Sequence, residues 1–116
     1  MAMSYQASCH CGAVKVDVDA DPPVEVISCN CSHCRRKGFL LTFVPRDKVT
    51  VTGENALGEY RFNKHVIAHR FCQTCGAQPF AEGPGPSGPG AMINVRCVPD
   101  LDIDSLKITP FDGASR

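Results

Sequence analysis

The chain of 116 residues contains no tryptophan and only 7% aromatic residues, so few large side chains are available to build a core. Basic and acidic residues balance at 12 each, and the resulting net charge of zero gives no indication of nucleic acid or a membrane surface as a partner. The longest apolar run, residues 39–44, is far too short to span a bilayer. These absences favour a small globular domain that needs a staple in addition to its modest core.

The beginning of the chain also lacks a targeting segment, because no basic stretch followed by an apolar stretch occurs in MAMSYQ. Without a predicted signal peptide, we expect a cytoplasmic protein whose thiols are kept reduced. No internal repeat beyond the cysteine units and no composition break of the domain-boundary type interrupts the sequence. Residues 1–116 are therefore expected to form a single domain.

Short segments of alternating polarity dominate the sequence. Every second residue from Val14 to Val18 is apolar, which predicts a half-buried strand over residues 13–19, paired in a hairpin with residues 5–8. Basic residues before Gly38 indicate the end of a single helical turn. Further short strands are predicted over residues 24–28, 39–44, 49–51, 59–62, 66–71, 77–81, 91–98 and 106–108. The pattern predicts a mainly β fold, with residues 39–44 as a buried strand.

A glycine- and proline-rich segment, GPGPSGPG at residues 83–90, lies between two predicted strands. This composition is predicted to form neither helix nor strand, so we expect it to be the long loop of a hairpin. Two roles remain open for it. A plain surface insertion is favoured over a flexible lid beside a reactive metal.

Seven of the eight cysteines fall into three clusters separated by predicted strands. The clusters are Cys9-His10-Cys11, Cys29-Asn30-Cys31-Ser32-His33-Cys34 and Cys72-Gln73-Thr74-Cys75. A closed thiolate zinc site takes four sulfurs, and the first and third clusters together provide four. The middle cluster then offers three, which leaves one coordination position for chemistry. The sequence therefore predicts two zinc ions, one structural and one reactive.

The third cluster has the form of a zinc knuckle, because Gly76 allows the left-handed backbone that such a tight turn often needs. Cys72 and Cys75 are predicted to bind a structural zinc together with Cys9 and Cys11, joining an N-terminal hairpin to a central one and coupling metal binding to folding. The same CxxC spacing occurs in redox proteins, but the thioredoxin-like βαβ pattern that usually carries it is not found in this sequence.

Cys29, Cys31 and Cys34 are the predicted ligands of the reactive zinc. A thiol that coordinates zinc is deprotonated and becomes nucleophilic at neutral pH, which suits attack on a small carbonyl. A fourth protein ligand could instead close this site, and the candidates are His10, His33, His65, His69 and Cys97. The open site is favoured, because Cys97 lies in an apolar run where a free cysteine often acts as a small buried hydrophobe.

Two further features keep alternatives open. Arg35, the first of three basic residues after Cys34, could bind the carboxylate of an anionic thiol substrate, or the run could be a solvated turn that balances thiolate charge. The eight cysteines could also form a disulfide scaffold. Metal binding is favoured over disulfides because the spacings have the form of metal-ligand motifs.

In order and spacing, the three clusters resemble those of the glutathione-dependent formaldehyde-activating enzymes. The resemblance extends from Cys9 to about Leu101 and is carried by Cys9-His10-Cys11-Gly12, by Cys29-x-Cys31-Ser32-x-Cys34-Arg35 and by Phe71-Cys72-x-x-Cys75-Gly76. It implies a β-tent of several small coiled antiparallel sheets, a structural zinc on the first and third clusters and a catalytic zinc on the middle one. It also implies condensation of glutathione with formaldehyde, an activity classed with the carbon–sulfur lyases.

Three functions are compatible with these features. The leading hypothesis is an enzyme in which the middle zinc binds a small-molecule thiol, glutathione by resemblance, for addition to an aldehyde, with Arg35 orienting the substrate. The alternative is a non-catalytic, zinc-stabilised binding module on the same scaffold, whose middle site would be closed. A metal-storing or redox protein is disfavoured, because the clusters are separate and lie at turns of a foldable β domain.

Overall fold

The computed structural model describes residues 4–61, 67–85 and 88–112. Within them, short β-strands and one helix, α1 (Ser32–Lys37), are joined by turns. The strands are β1 (Tyr5–Ser8), β2 (Lys15–Val18), β3 (Glu25–Cys29), β4 (Leu41–Pro45), β5 (Val49–Thr52), β6 (Leu57–Tyr60), β7 (Ala68–Cys72), β8 (Phe80–Gly85), β9 (Gly88–Asn94) and β10 (Lys107–Phe111). The predicted mainly β fold is confirmed.

The strands form two sheets, one with the order β1–β2–β5 and one with the order β10–β3–β4–β9–β8–β7–β6. The predicted hairpin of β1 and β2 is confirmed, with Tyr5 opposite Val18. All described pairs are antiparallel except β3 with β10, which run parallel with Lys107 opposite Glu25. The expectation of antiparallel sheets is wrong for this pair. β3 and β10 are far apart in the sequence, so no hairpin turn dictates their relative direction.

A hydrophobic core fills the space between the two sheets. Val16 and Val18 on β2 alternate with exposed residues, as predicted, and belong to the same buried cluster as Phe80 and Ile93 of the larger sheet. These four side chains are at most 1% exposed. Burial of each contributes about 1.5–3 kcal/mol, so this inner layer provides the main apolar stabilisation of the fold.

The outer face of the larger sheet carries a smaller apolar cluster. Strand residues alternate between faces, so Met92 points outward where its neighbour Ile93 points into the core. Met92 packs with Leu41 and Phe39 in this outer cluster. The prediction of a buried strand over residues 39–44 is therefore only half right, because Phe43 is 57% exposed on this thinly covered face.

The glycine- and proline-rich segment belongs to the larger sheet, so the prediction that it forms no strand is wrong. β8 and β9 continue through it as a two-stranded ribbon, with Gly83 opposite Gly90 and Pro84 opposite Pro89. Two prolines cannot exchange N–H···O bonds, so their pair must be of the non-hydrogen-bonded kind, and the flanking glycine pairs can supply the ladder bonds. Residues 86–87 lie outside the described residues.

Two predicted boundaries are informative. The predicted strand over residues 91–98 ends at Asn94, whose side-chain oxygen accepts a hydrogen bond from the Arg96 N–H at 3.2 Å and begins a 3-10 turn. Helix α1 ends as predicted at Gly38, which has a φ of 70° and donates its N–H to the Cys34 carbonyl at 2.9 Å.

Parts of two predicted strands, 59–62 and 66–71, fall within residues 62–66, which lie outside the described residues. Across the described ranges, no helix is long and apolar enough to cross a membrane.

Candidate metal centres

The structure brings together the four cysteines of the first and third clusters. Cys9 and Cys11 lie in the turn between β1 and β2, and Cys72 and Cys75 lie at the end of β7 and in the turn that follows. Their sulfurs are all within 4.8 Å of one another. Cys9–Cys11 and Cys11–Cys72 Sγ distances are both 3.6 Å. A tetrahedral zinc with Zn–S bonds of about 2.3 Å requires sulfur separations of about 3.8 Å, so this set fits a metal ion.

Both turns of this four-thiol cluster have the same construction. Gly12 follows Cys11 with a φ of 83°, and Gly76 follows Cys75 with a φ of 82°. These left-handed glycines reverse the chain so that backbone N–H groups can point at sulfur. The Val14 N–H donates to Cys9 Sγ at 3.3 Å. The local sequence therefore builds a thiolate-binding turn twice and joins the two copies through one cluster.

Backbone donors also favour the thiolate form of two members of the four-thiol cluster. Hydrogen bonds from the N–H groups of Ala77 and Cys11 lower the pKa of Cys75 to about 6. The pKa of Cys72 is lowered chiefly by the N–H of Cys75. A metal ligand must be a thiolate, so these donors favour the form that binds metal.

The four-thiol cluster lies at the edge of the inner core. Cys72 is fully buried and Cys9 is 3% exposed, and both pack with the core valines. Cys75 is half-buried, while Cys11 reaches the surface. The cluster joins the small sheet to the large one, because its four members come from strands or turns of both.

The middle cluster occupies the opposite, outer face of the larger sheet. Cys29 ends β3, Cys31 is the N-cap of α1, and Cys34 lies inside that helix. Their three sulfurs are within 4.8 Å of one another. The Cys34 N–H donates to Cys31 Sγ at 3.2 Å, and the Cys31 N–H lies 3.5 Å from Cys29 Sγ. The helix start thus fixes the spacing of the three thiols.

The three thiols do not ionise alike. Burial raises the pKa of Cys34 well above its usual value, and the neighbouring thiols Cys31 and Cys29 raise it further. Burial also raises the pKa of Cys31, but the Cys34 N–H and the neighbouring thiols offset this, and the net effect is a lowered pKa. Three adjacent thiolates need a cation to offset their repulsion, so this donor set also fits a metal ion.

The number of ligands distinguishes the two clusters. Within residues 4–61, 67–85 and 88–112, no fourth cysteine, histidine or carboxylate joins Cys29, Cys31 and Cys34. Cys34 is 6% exposed and packs against Phe39, while the other two thiols are half-buried. The middle cluster therefore has an apolar floor and three available donors.

Three of the five candidates for a fourth ligand lie elsewhere or outside the described residues. Cys97 packs against the inner core and not against the middle cluster, and its thiol donates to the Gln78 carbonyl at 3.7 Å. Burial, followed by the charges of Cys9 and Cys75, raises the pKa of Cys97 to about 11, as expected for a small buried hydrophobe. His65 lies outside the described residues, and His10 is exposed beside the four-thiol cluster.

Two histidines that were predicted only as possible fourth ligands lie together beside the middle cluster. The His33 ring, in α1, is 4.3 Å from the His69 ring, centroid to centroid. His69 is only 6% exposed, and its Nδ1 lies 3.1 Å from Nε2 of Gln78. Strand alternation could have indicated the face on which His69 lies, though not its contact with His33, because His69 and Cys72 are three residues apart on β7 and so face opposite sides of the sheet.

Arg35 follows Cys34 in α1, with its side chain exposed at the surface. Its backbone N–H donates to the Cys31 carbonyl at 3.0 Å, so the residue is part of the short helix that carries the thiols. The role of Arg35 in binding a substrate carboxylate stays a prediction.

Comparison with known protein families matches residues 4–108 to the model described as glutathione-dependent formaldehyde-activating enzyme. The match covers most of the chain, which therefore belongs to this family. A crystal structure of a Rhodobacter sphaeroides protein is similar, with 26% sequence identity and a TM-score of 0.76. That similarity covers 92% of this chain and 100% of the other.

Proposed function

We propose that this protein is a zinc-dependent enzyme that joins a thiol, expected to be glutathione, to a small aldehyde such as formaldehyde. The description of the family to which the chain belongs, glutathione-dependent formaldehyde-activating enzyme, names a thiol and an aldehyde of these classes. One observation supports placing the reaction on the outer face: the middle cluster groups three thiols, whereas the other cluster groups four. A zinc site with three protein ligands leaves room for a substrate, and a site with four does not.

In this proposal Cys29, Cys31 and Cys34 would hold the catalytic zinc. When bound there, zinc would lower the pKa of a substrate thiol and so supply a nucleophile at neutral pH. Cys34 packs against Phe39, and these two side chains form an apolar floor that would exclude water from one side of the middle site. The exposed guanidinium of Arg35 would bind a carboxylate of the thiol substrate.

The reaction needs no oxidant or reductant. The sulfur of the thiol forms a bond to the carbonyl carbon, the π electrons of the C=O bond move to oxygen, and the proton released by the thiol ends on that oxygen. The product is a hydroxyalkyl thioether, and the reverse reaction breaks the same carbon–sulfur bond. This reversal is why we class the enzyme with the carbon–sulfur lyases.

The remaining parts of the proposal concern its setting. Cys9, Cys11, Cys72 and Cys75 would hold a second, structural zinc, since four thiolates close the coordination shell. A reducing cytoplasm would keep all these thiols available to metal. We also assign the two-sheet arrangement to the β-tent fold of the family.

The test is Cys31→Ser, with Cys97→Ser as the matched control because Cys97 is a half-buried cysteine outside both clusters. We expect Cys31→Ser to stay folded, to bind one zinc fewer per chain and to lose thiol consumption above the uncatalysed rate. Cys97→Ser should keep both zinc ions and the activity. Full activity in Cys31→Ser would remove the proposal, and a middle site closed by four protein ligands would favour the binding module.

A further inference from the structure

His69 is a buried polar side chain that the proposed reaction does not yet use. It lies on β7 with 6% of its surface exposed, and its ring contacts His33 at 4.3 Å with an interplanar angle of 51°. Burial, and then the charge of His33, lower the pKa of His69 to about 4, so the ring is neutral at pH 7. A neutral imidazole has one donor and one acceptor nitrogen, and its neighbours decide which is which.

Gln78 determines which nitrogen of the His69 ring carries the hydrogen. Its side-chain Nε2 lies 3.1 Å from Nδ1 of His69, and both residues are buried. An amide N–H donates, so Nδ1 is the acceptor and the hydrogen of the His69 ring is on Nε2. The Gln78 backbone is fixed in turn, because its carbonyl accepts a hydrogen bond from Nδ2 of Asn94 at 3.0 Å.

The zinc knuckle holds both members of this pair. Gln78 comes three residues after Cys75, and His69 comes three residues before Cys72. The Cys72 N–H donates to the Ala77 carbonyl at 2.9 Å, which closes the turn between them. The four-thiol cluster therefore sets the position of a histidine that reaches the other face of the sheet.

His33 is held on three sides at that face. Besides His69, its ring stacks on Tyr60 at 5.4 Å and contacts Phe39 at 5.6 Å. Phe39 also packs on Cys34, so this group of rings borders the middle thiols. His33 itself lies in the one helical turn that runs from Cys31 to Cys34.

We propose that Gln78 and His69 are positioning residues that fix the orientation of the His33 ring beside the middle cluster. In this orientation the His33 ring forms a hydrogen bond with the oxygen of the aldehyde. This inference rests on the proposed function. As the carbon–sulfur bond forms, negative charge develops on the aldehyde oxygen before it takes the thiol proton. A fixed polar group beside that oxygen stabilises this charge, and its contribution depends on its orientation.

The test replaces Gln78, the hydrogen-bond donor to His69, by methionine, which has a similar volume and no N–H group. In zinc-replete, ¹⁵N-labelled protein, ring-nitrogen NMR should show His69 with its hydrogen on Nε2. Gln78→Met should remove this preference and shift the His33 ring signals, with the zinc content unchanged. The kcat of the condensation and its kcat/KM for the aldehyde should both fall about fivefold, as expected for one hydrogen bond lost from the transition state, and the Michaelis constant for the thiol should not change.

Two further variants sharpen this test. Gln78→Glu presents only acceptors when its carboxylate is ionised, so this form should move the His69 hydrogen to Nδ1 in a folded protein. Gln73→Met is the matched control, because Gln73 lies in the same knuckle and donates instead to the Leu57 carbonyl at 2.8 Å. It should leave both histidine spectra unchanged.

The outcomes separate the two proposals. Unchanged His33 signals in Gln78→Met, or a hydrogen on Nδ1 of His69 in the unmodified protein, would overturn the positioning role whatever the activity. The expected spectra in a protein that condenses no thiol with any aldehyde would support the positioning of His33 and would refute the proposed function.

Discussion

The two thiol clusters differ both in the backbone that carries them and in their environments: two glycine-containing turns carry the four-thiol cluster, and a strand end with a short helix carries the middle cluster. The four-thiol cluster lies between the sheets, with Cys72 fully buried and Cys9 3% exposed. The middle cluster, with three thiols, lies on the outer face of the larger sheet, where the short helix α1 and its N-cap provide two of its members. A cluster that joins two sheets is expected to contribute to stability, whereas a cluster on one face is available for chemistry. Position in the fold and ligand number therefore point to the same division of roles.

Removing a ligand from the four-thiol cluster should have the largest effect on stability. Cys72→Ser should lose the structural metal and, with it, the attachment of β7 to the N-terminal hairpin. Small zinc-dependent folds are commonly unfolded without metal, so we expect the cooperative thermal transition to disappear. Circular dichroism on heating, together with the zinc content, measures this. Cys31→Ser is the control that should keep its transition, and equal stability of the two variants would contradict the division.

Substitutions of two glycines compare the backbone constraint near the four-thiol cluster with that near the middle cluster. Gly53 has a φ of 86°, and a Cβ there would clash with the Ala13 carbonyl oxygen, in the turn that carries Cys9 and Cys11. Gly38 has a φ of 70° at the end of α1, and a Cβ there would meet nothing within 4 Å.

Gly53→Ala should lower the free energy of unfolding by about 3 kcal/mol, because left-handed strain is added to a clash with backbone. Gly38→Ala should cost about 1 kcal/mol, from the left-handed strain alone. Urea titrations of both variants give these values. If Gly38→Ala lowers the free energy of unfolding as much as Gly53→Ala does, the turn between β1 and β2 is no more constrained than the end of α1.

A third prediction concerns pH, because His69 is buried neutral with a pKa of about 4. The unfolded chain takes up a proton on this ring below about pH 6.5, while the folded protein does not until about pH 4, so stability falls as pH decreases through this window. The expected loss is about 2 kcal/mol. Urea unfolding of the unmodified protein and of His69→Gln at several pH values isolates the contribution. If the difference between the two stays constant from pH 7 to pH 4.5, the ring is not buried neutral.

Much of this arrangement could be predicted from the sequence, because some signals are local. Alternation located β2, the hairpin expected before it located β1, and the basic residues before Gly38 located the end of α1. The grouping of Cys9 with Cys72 followed from counting the ligands that a closed site needs. Each of these inferences depends on residues close in sequence or on simple stoichiometry.

Other features depend on tertiary context and could not be predicted. The prolines of residues 83–90 are accepted in a ladder only because Pro84 and Pro89 face each other, and that register is fixed by the strands on either side. The parallel direction of β10 depends on where the chain returns. The contact of His33 with His69 joins a helix to a strand distant in sequence, which no periodicity reveals.

Zinc-edge X-ray absorption on the metal-replete protein tests the unequal division of thiols most directly. Two ions per chain, one with four sulfur neighbours and one with three, give an average of about 3.5 sulfurs per zinc at about 2.3 Å. Cys31→Ser, left with the inner ion alone, should give an average of about 4. A single ion in the unmodified protein, or four sulfurs around each of two, would contradict an open site on the outer face.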